Sequence, residues 1–419
     1  MARADGDAQR VVVTGLGVVS AGGSSLEDFW PLVLAGRSVA ANVERIDLSE
    51  APIRFACEVH GFEPTSVLSA KEVRRLDRTT QLTIGAAEAA WTDAGAPEPD
   101  PARVATVIGT GFGGLETADD GAREFLGVKP GAMKGRVNPL FVPTAMPNAG
   151  SANVAMRRGF RGPCLTITTA CSAGANAIGE GMRLLRDGSA DVVVAGGAEA
   201  PITPWVMSGF AAAHALSERR DDPGTASRPF DADRDGFVMS EGSAVLVLER
   251  LSDARARGST VRAELLGYGR NTDAFHLVAP PPDGRGARDC MLLALADAGL
   301  SPDDVAHVNA HGTSTPHNDV AESRAIRAVF GDSAPPITSV KGTIGHSIGA
   351  AGAIEAVASI LTLENATIPP TANFTTRDPE IDLDVVTEPR ALPPGAVVSN
   401  SFAFGGHNAA LVFRRYAAE

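Results

Sequence analysis

Short runs of β-branched and other apolar residues alternate along the chain with longer segments of helical periodicity. Runs with the length of a buried strand begin at Val11, Val104, Leu165, Asp191 and Ser243. Helical periodicity marks 26–34 and, as one long segment, 71–95. Alternating strands and helices predict an α/β fold in which a parallel-rich sheet is covered by helices on both faces.

The second half of the chain echoes the first. The segment 305–313 resembles the strand and glycine turn at 104–112, and 337–352 repeats the change from strand to small-residue helix seen over 165–181. We interpret this as a weak internal duplication, with two α/β halves packed as one body. A charged turn ending at Gly258 predicts the boundary, which gives an N-terminal half at 1–258 and a C-terminal half at 259–419.

Cys171 lies where a predicted strand becomes the N-terminus of an Ala/Gly-rich helix, in Thr-Thr-Ala-Cys-Ser-Ala-Gly. Unpaired N–H groups at a helix start favour a thiolate, and small neighbours leave room for a substrate carbonyl. A free cysteine is also commonly an ordinary buried side chain. This stretch alone therefore leaves nucleophile and core residue equally open.

His311 and His346 each follow a predicted strand and lie beside a glycine, in positions equivalent to that of Cys171. The repetition favours a catalytic set of one thiol and two imidazoles. The sequence contains neither HExxH nor CxxC, and the glycine turn at 15–17 lacks the full GxGxxG spacing, so we expect no metal and no organic cofactor. The other cysteines are far apart along the chain and are predicted to be reduced thiols, namely Cys57, Cys164 and Cys290.

The net charge of −13 argues against nucleic acid as a ligand. No apolar run approaches the length of a membrane span, and the N-terminus shows no signal peptide, so a cytoplasmic protein without membrane attachment is expected. An acidic protein partner would need a local basic patch. Lys71, Arg74 and Arg75 would share one face of a helix, although such a run is often only the solvated start of a helix.

Four motifs together resemble one known family. They are Thr-Ala-Cys-Ser-Ala-Gly, Asn-Ala-His-Gly-Thr-Ser-Thr-Pro, Val-Lys-Gly-Thr-Ile-Gly-His-Ser-Ile-Gly-Ala-Ala-Gly and Asn-Ser-Phe-Ala-Phe-Gly-Gly-His-Asn. The chain is similar, in order from about residue 10 to 415, to β-ketoacyl-acyl-carrier-protein synthases of type II and to ketosynthase subunits of type II polyketide pathways. The resemblance implies the thiolase fold, a five-layered αβαβα body of two duplicated halves, usually dimeric. It also implies an acyltransferase that elongates fatty acid or polyketide chains.

The resemblance also implies roles for individual residues. Cys171 would carry the acyl group, His311 and His346 would stabilise the enolate, and Lys341 would support them together with Glu355. The backbone N–H groups of Cys171 and Phe404 would form the oxyanion hole. The remaining positions fall into two groups: those contacting pantetheine or substrate, Thr313, Thr315, Phe112, Phe237 and Phe404; and those docking an acidic acyl carrier protein, Lys71, Arg74, Arg75 and Arg219.

Departures from the family pattern affect the expected substrate. Phe112 replaces a smaller aliphatic residue and should shorten or narrow the acyl pocket, while Val278 and Ala403 replace a common Thr and Gly. A specialised chain that is short, polar or unsaturated is therefore an alternative to ordinary fatty acid elongation. Two further alternatives are a degradative thiolase, which would need a second cysteine near the site, and a non-catalytic subunit that sets chain length in a heterodimer. Homodimer and heterodimer both remain open.

Overall fold

The computed structural model describes residues 10–128, 131 and 133–417. Its strands are β1 (Val11–Ser20), β2 (Ala41–Asn42), β3 (Phe55–Ala56), β4 (Val104–Gly109), β5 (Cys164–Ile167), β6 (Val192–Glu199), β7 (Gly242–Arg250), β8 (Ala263–Thr272), β9 (Val305–Asn309), β10 (Ile337–Thr338), β11 (Thr367–Ile368), β12 (Arg390–Ala391), β13 (Ala396–Ala403) and β14 (His407–Arg414). Its α-helices are α1 (Leu26–Ala35), α2 (Ala70–Val73), α3 (Arg78–Asp93), α4 (Leu115–Leu126), α5 (Phe141–Ala145), α6 (Ala149–Arg158), α7 (Ala173–Arg186), α8 (Pro204–Ala212), α9 (Leu251–Ala256), α10 (Arg285–Ala298), α11 (Pro316–Phe330), α12 (Lys341–Ile344) and α13 (Ala351–Glu364).

The sheet topology repeats between the two halves. Strands β1-β7-β6-β4-β5 form one five-stranded unit, and β8-β14-β13-β9-β10 form a second unit with the same order. In each unit the first three strands are antiparallel and the last two join in parallel. A short antiparallel pairing of β1 with β8 joins the units into one ten-stranded sheet in the described part of the chain.

The expectation of a parallel-rich sheet was wrong. In the ten-stranded sheet, five of the nine strand pairings are antiparallel, and these five occupy the middle of the sheet. Fully buried strands read as continuous apolar runs in either orientation, so the pattern could not distinguish them. The proposed boundary between residues 258 and 259 lies between α9 and β8 and remains a prediction.

Helices α7 and α13 lie between the two sheet units and form the central layer. Both are built from small residues, and a Cβ added at Gly352 would lie 2.8 Å from the Ala175 side chain, so the backbones meet closely. Helix α3 covers the outer face of the first unit, and α10 covers that of the second. The five layers of the predicted αβαβα fold are therefore present. The close contact of α7 with α13 explains why these two helices are rich in Gly and Ala.

The predicted helix over 71–95 is interrupted. Helix α2 ends at Val73, and α3 begins at Arg78, because the Asp77 side chain accepts a hydrogen bond from the Thr79 N–H and caps a new helix. Lys71, Arg74 and Arg75 therefore do not share a face of one long helix. None of the described helices has the length and apolar character needed to cross a membrane.

Candidate active site

Cys171 occupies a tight turn between β5 and α7. Ala170 has φ of 49°, in the left-handed region that side chains other than glycine avoid, and a short 3₁₀ turn over Ala170–Ser172 leads into the helix. This geometry places the cysteine at the start of a buried helix, as the sequence predicted. The thiol is buried, with 8% of the residue exposed.

The electrostatics of the thiol differ from the sequence argument, which expected the helix start to favour the thiolate. Burial raises the pKa of Cys171 to about 12, because a desolvated thiolate is costly. Lys341 and hydrogen bonds to the sulfur from the N–H groups of Phe404 and Cys171 act in the opposite direction. An oxyanion hole needs two such N–H donors close to the reacting sulfur.

His311 and His346 come together from different parts of the second half. His311 follows β9, and His346 follows α12 after Gly345, whose φ of 70° turns the chain. Their rings meet edge to face with centroids 5.5 Å apart, and both residues are 2% exposed. Burial, and then the charge of Lys341, hold the pKa of each imidazole well below its ordinary value, so both rings are neutral at pH 7.

Lys341 contacts His311 and is paired with Glu355. Its ammonium group forms a buried ion pair with Glu355 and donates to the backbone carbonyl of His311 at 2.7 Å. The same Nζ lies 3.4 Å from Nδ1 of His311. Because an ammonium group can only donate, Nδ1 must be the acceptor, and the ring proton of His311 is therefore on Nε2.

His346 has no such partner. Neither ring nitrogen is hydrogen-bonded to any described residue, although the side chain is almost completely buried. Leaving a buried N–H group without an acceptor costs free energy. Because His346 also lines the cavity described below, its ring is free to donate a hydrogen bond to a bound ligand.

The thiol and both imidazoles line one cavity of about 150 Å³. Four other sequence-predicted residues also line it, namely Thr313, Thr315, Phe237 and Phe404. The hydroxyl groups of Thr313 and Thr315 are 2.9 Å apart. The cavity reaches from the buried sulfur to exposed residues such as Val278 and His317, so it is open to solvent.

Phe112 does not line this cavity, and its expected place in the acyl pocket remains a prediction. It is 40% exposed, and its ring meets Phe210 edge-on at 6.4 Å. Phe210, on α8, lines the cavity and also contacts the rings of Phe237 and Phe404. Sequence reasoning missed Phe210, because nothing in the pattern of α8 relates this residue to Cys171.

Two buried carboxylates that sequence reasoning also missed fix the loops around the cavity. Glu199 accepts hydrogen bonds from the N–H groups of Gly111, Phe112 and Gly349, and Glu322 accepts from those of His311 and Gly312. Burial raises the pKa of each to about 7. Burial does the same for Glu355, although Lys341 opposes it.

The predicted docking cations fall into two groups. Lys71, Arg74 and Arg75 are exposed, and none of them forms an ion pair with a carboxylate in the described ranges. Arg219 is half-buried, and its guanidinium donates to the carbonyl of Asp233 at 2.8 Å, so it is tied into the protein. A degradative thiolase would need a second cysteine near Cys171, and none of the other three cysteines lines the cavity. Cys57 and Cys290 are buried elsewhere, and Cys164 is exposed.

Residues 8–254 match the N-terminal domain of beta-ketoacyl synthases, and residues 262–375 match the C-terminal domain. The chain belongs to the beta-ketoacyl synthase family. It is 45% identical to the 3-oxoacyl-[acyl-carrier-protein] synthase 2 of Synechocystis, over 97% of this chain and 98% of the relative. The resemblance stated from the motifs, and the fold it implied, are thus confirmed.

Solved structures of similar synthases extend the comparison. The ishigamide ketosynthase/chain length factor aligns with a TM-score of 0.90 and 36% identity, over 97% of this chain and 99% of the other. A type II polyketide ketosynthase, solved in complex with its acyl-carrier protein and bound to a hexaketide, aligns with a TM-score of 0.89 and 32% identity, over the same shares. Both are similar to this beta-ketoacyl synthase along almost its whole length.

Proposed function

We propose that this chain condenses malonyl-carrier with an acyl group held on Cys171, with loss of CO₂, in fatty acid or type II polyketide elongation. One observation carries the proposal: a thiol and two neutral imidazoles line a single cavity that is open to solvent, and the N–H groups of Cys171 and Phe404 are hydrogen-bonded to the sulfur.

In the first half-reaction, Cys171 takes the acyl group from its carrier. The sulfur attacks the thioester carbonyl, and the N–H groups of Cys171 and Phe404 stabilise the oxyanion that forms. The carrier thiol leaves with the proton that the cysteine thiol gives up. Lys341 assists because its positive charge favours the thiolate.

In the second half-reaction, malonyl-carrier enters and its carbon–carboxylate bond breaks to release CO₂. The electron pair moves onto the thioester as an enolate, where the Nε2–H of His311 and a ring N–H of His346 would donate to the oxygen. The enolate carbon attacks the acyl-Cys171 carbonyl, forming the new carbon–carbon bond and releasing the cysteine thiolate, which takes a proton from solvent. Loss of one such donor typically costs about 2.7–4 kcal/mol of transition-state stabilisation.

A turnover assay tests this proposal. Purified protein given acyl-carrier and malonyl-carrier should release CO₂ and form 3-oxoacyl-carrier, and Cys171→Ala should form no product. Cys57→Ala is the matched control, because that thiol is also buried but lies outside the cavity. Product formation by Cys171→Ala would contradict the covalent mechanism, and failure of the wild-type protein would favour a non-catalytic subunit.

We propose that Lys71, Arg74 and Arg75 dock an acidic carrier protein. These three cations are exposed and form no ion pair with a carboxylate in the part of the chain that the structure describes, although the net charge of the chain is −13. Arg219 would act by holding its loop beside the cavity. Arg74→Glu combined with Arg75→Glu should raise KM for acyl-carrier about ten-fold and leave that for a small acyl-pantetheine thioester unchanged. Arg37→Glu is the control; an equal effect of all variants on both substrates would contradict docking at this patch.

We propose that the free edge of β5 pairs with a second copy of the chain. Strand β5 lies at one end of the sheet, where β4 is its only partner among the described strands, and its Leu165 is 42% exposed. Further exposed apolar side chains come from the neighbouring segment, namely Leu140, Val142, Met146 and Met156. A strand edge with apolar neighbours is a ready site for association.

Sedimentation of Leu165→Arg tests this pairing. The wild type should sediment as a dimer and the variant as a monomer, while Leu292→Arg, on α10 and also 42% exposed, should remain dimeric. A monomeric wild type that dimerises only with a homologous chain would indicate a heterodimer. A dimeric Leu165→Arg would contradict the use of this edge.

A further inference from the structure

A hydrogen-bonded network supports the Cys171 turn, and its members do not line the cavity. The side-chain amide of Asn176, in the first turn of α7, donates to the hydroxyl of Thr169 at 2.7 Å and to that of Ser172 at 3.1 Å. Ser172 in turn donates to the carbonyl of Thr169 at 2.9 Å. Thr169 and Ser172 flank the strained Ala170 and the nucleophile, so this ring of bonds closes around the turn.

The network is anchored in the other half of the chain. The hydroxyl of Tyr268, on β8, lies 2.6 Å from the Asn176 carbonyl oxygen. A hydroxyl donor at that oxygen fixes which end of the amide faces Thr169, so the NH₂ group must point to the turn. Burial raises the pKa of Tyr268, so the phenol keeps its proton and remains a donor at every working pH.

The ring of Tyr268 is held in place by its surroundings. It packs directly on α7 at Gly179, where an added Cβ would lie 2.4 Å from the ring. Arg270 covers it in a cation–π contact and forms an ion pair with Glu180 of α7. Tyr268 thus has little freedom to move away from Asn176.

We propose that Asn176 and Tyr268 are positioning residues that hold the Cys171 turn in its strained form. Neither lines the cavity that holds the thiol and the two imidazoles, so we assign neither a contact with substrate. They act through the turn, because its conformation sets where the Cys171 sulfur and its N–H point. The inference rests on the proposed function for its effect on turnover, and on the thiol alone for its effect on reactivity.

Two variants and a matched control test the inference. Tyr268→Phe removes only the hydroxyl, and Asn176→Ala removes both donors to the turn. The control is Tyr416→Phe, because Tyr416 is the other tyrosine of the chain and its hydroxyl pairs with Arg255 far from the turn. We expect kcat to fall about five-fold in Tyr268→Phe and further in Asn176→Ala, with KM for both carriers within two-fold of the wild type.

Alkylation of Cys171 by iodoacetamide gives a second readout that needs no carrier protein. Its rate profile should move to higher pH in both variants, because the N–H groups that favour the thiolate are no longer held on the sulfur, and Tyr416→Phe should match the wild type. Unchanged kcat and alkylation in folded Tyr268→Phe would overturn the inference. If the wild-type protein fails to condense its substrates, the proposed function fails, while the alkylation profile still decides this inference.

Discussion

Replacing Lys341 with methionine removes one positive charge from the candidate active site and leaves an unbranched side chain that is one atom shorter. In the wild type, the ammonium nitrogen lies 3.4 Å from Nδ1 of His311. At that separation and an effective dielectric constant near 20, repulsion of a protonated His311 amounts to about 5 kcal/mol. The charge of Glu355 offsets part of this repulsion, and burial opposes protonation independently.

We therefore expect the pKa of His311 to rise in Lys341→Met, since one of its two main depressing causes is gone. The ring should also lose its preference for the Nε2–H form, because Nδ1 no longer faces a fixed donor. Donation to the enolate should weaken, and malonyl-carrier decarboxylation should slow by about 100-fold, a typical cost of one oxyanion donor. Alkylation of Cys171 should slow as well, because Lys341 favours its thiolate.

Nuclear magnetic resonance of histidine labelled with ¹⁵N on the ring follows both the charge and the tautomer of His311, with His311→Gln to assign its signals. In the wild type these signals should be those of a neutral Nε2–H ring and should not change between pH 5 and 8. In Lys341→Met the ring should become protonated at a higher pH than in the wild type, and the Nδ1–H form should become populated. Lys71→Met, at an exposed lysine, is the control. A ring in Lys341→Met that stays neutral and Nε2-protonated throughout would refute the electrostatic role of Lys341.

Three further predictions follow from single residues. His307 is buried without a hydrogen-bonding partner among the described residues, and burial lowers its pKa to about 3. As the pH falls below about 6.5, this histidine binds a proton in the unfolded chain before it does so in the folded protein, which lowers the free energy of unfolding. In urea titrations, His307→Phe should therefore recover about 2 kcal/mol of the free energy of unfolding that the wild type loses between pH 8 and 5. An unchanged pH dependence would contradict this. Phe210→Ala should shift turnover towards longer acyl-carriers, because its ring contacts those of Phe112, Phe237 and Phe404; if only Phe112→Gly has that effect, Phe112 sets the limit. Thr313→Val should raise KM for carrier substrates a few-fold with little change in kcat, and an unaltered KM would exclude a pantetheine contact there.

The sequence was most informative where chemistry and local pattern coincide. Cys171 and His311 each lie just after a strand, as predicted, and small residues allow α7 and α13 to approach closely. Such features are encoded within about ten residues of each position. The prediction was wrong for His346, which follows the short helix α12 and not a strand. The motifs around these residues carry the resemblance to the family, and that resemblance implied the five-layered fold.

Other features depend on contacts between distant parts of the chain and leave no local signal. The buried strands read the same whether parallel or antiparallel, so the direction of the central pairings was missed. A helix start favours a thiolate, but burial outweighs it at Cys171, and burial is a property of the packed molecule. Likewise, Phe210 lines the cavity because α8 passes beside it, and Tyr268 bonds to Asn176 because β8 packs against α7.

The same limit applies to the basic segment. Helical spacing placed Lys71, Arg74 and Arg75 on one face, yet Asp77 starts a new helix. An aspartate within a helical pattern is compatible with either outcome. The three cations remain exposed, so the docking proposal depends on their accessibility, not on a shared helix.

The most direct test of the account is the mass of the peptide that contains Cys171 after brief exposure to acyl-carrier in the absence of malonyl-carrier. We predict that this peptide alone gains the mass of the acyl group, that malonyl-carrier then removes it, and that Cys171→Ala protein remains unlabelled. Acylation at another residue, or an unmodified Cys171 in protein that still turns over substrate, would contradict the account.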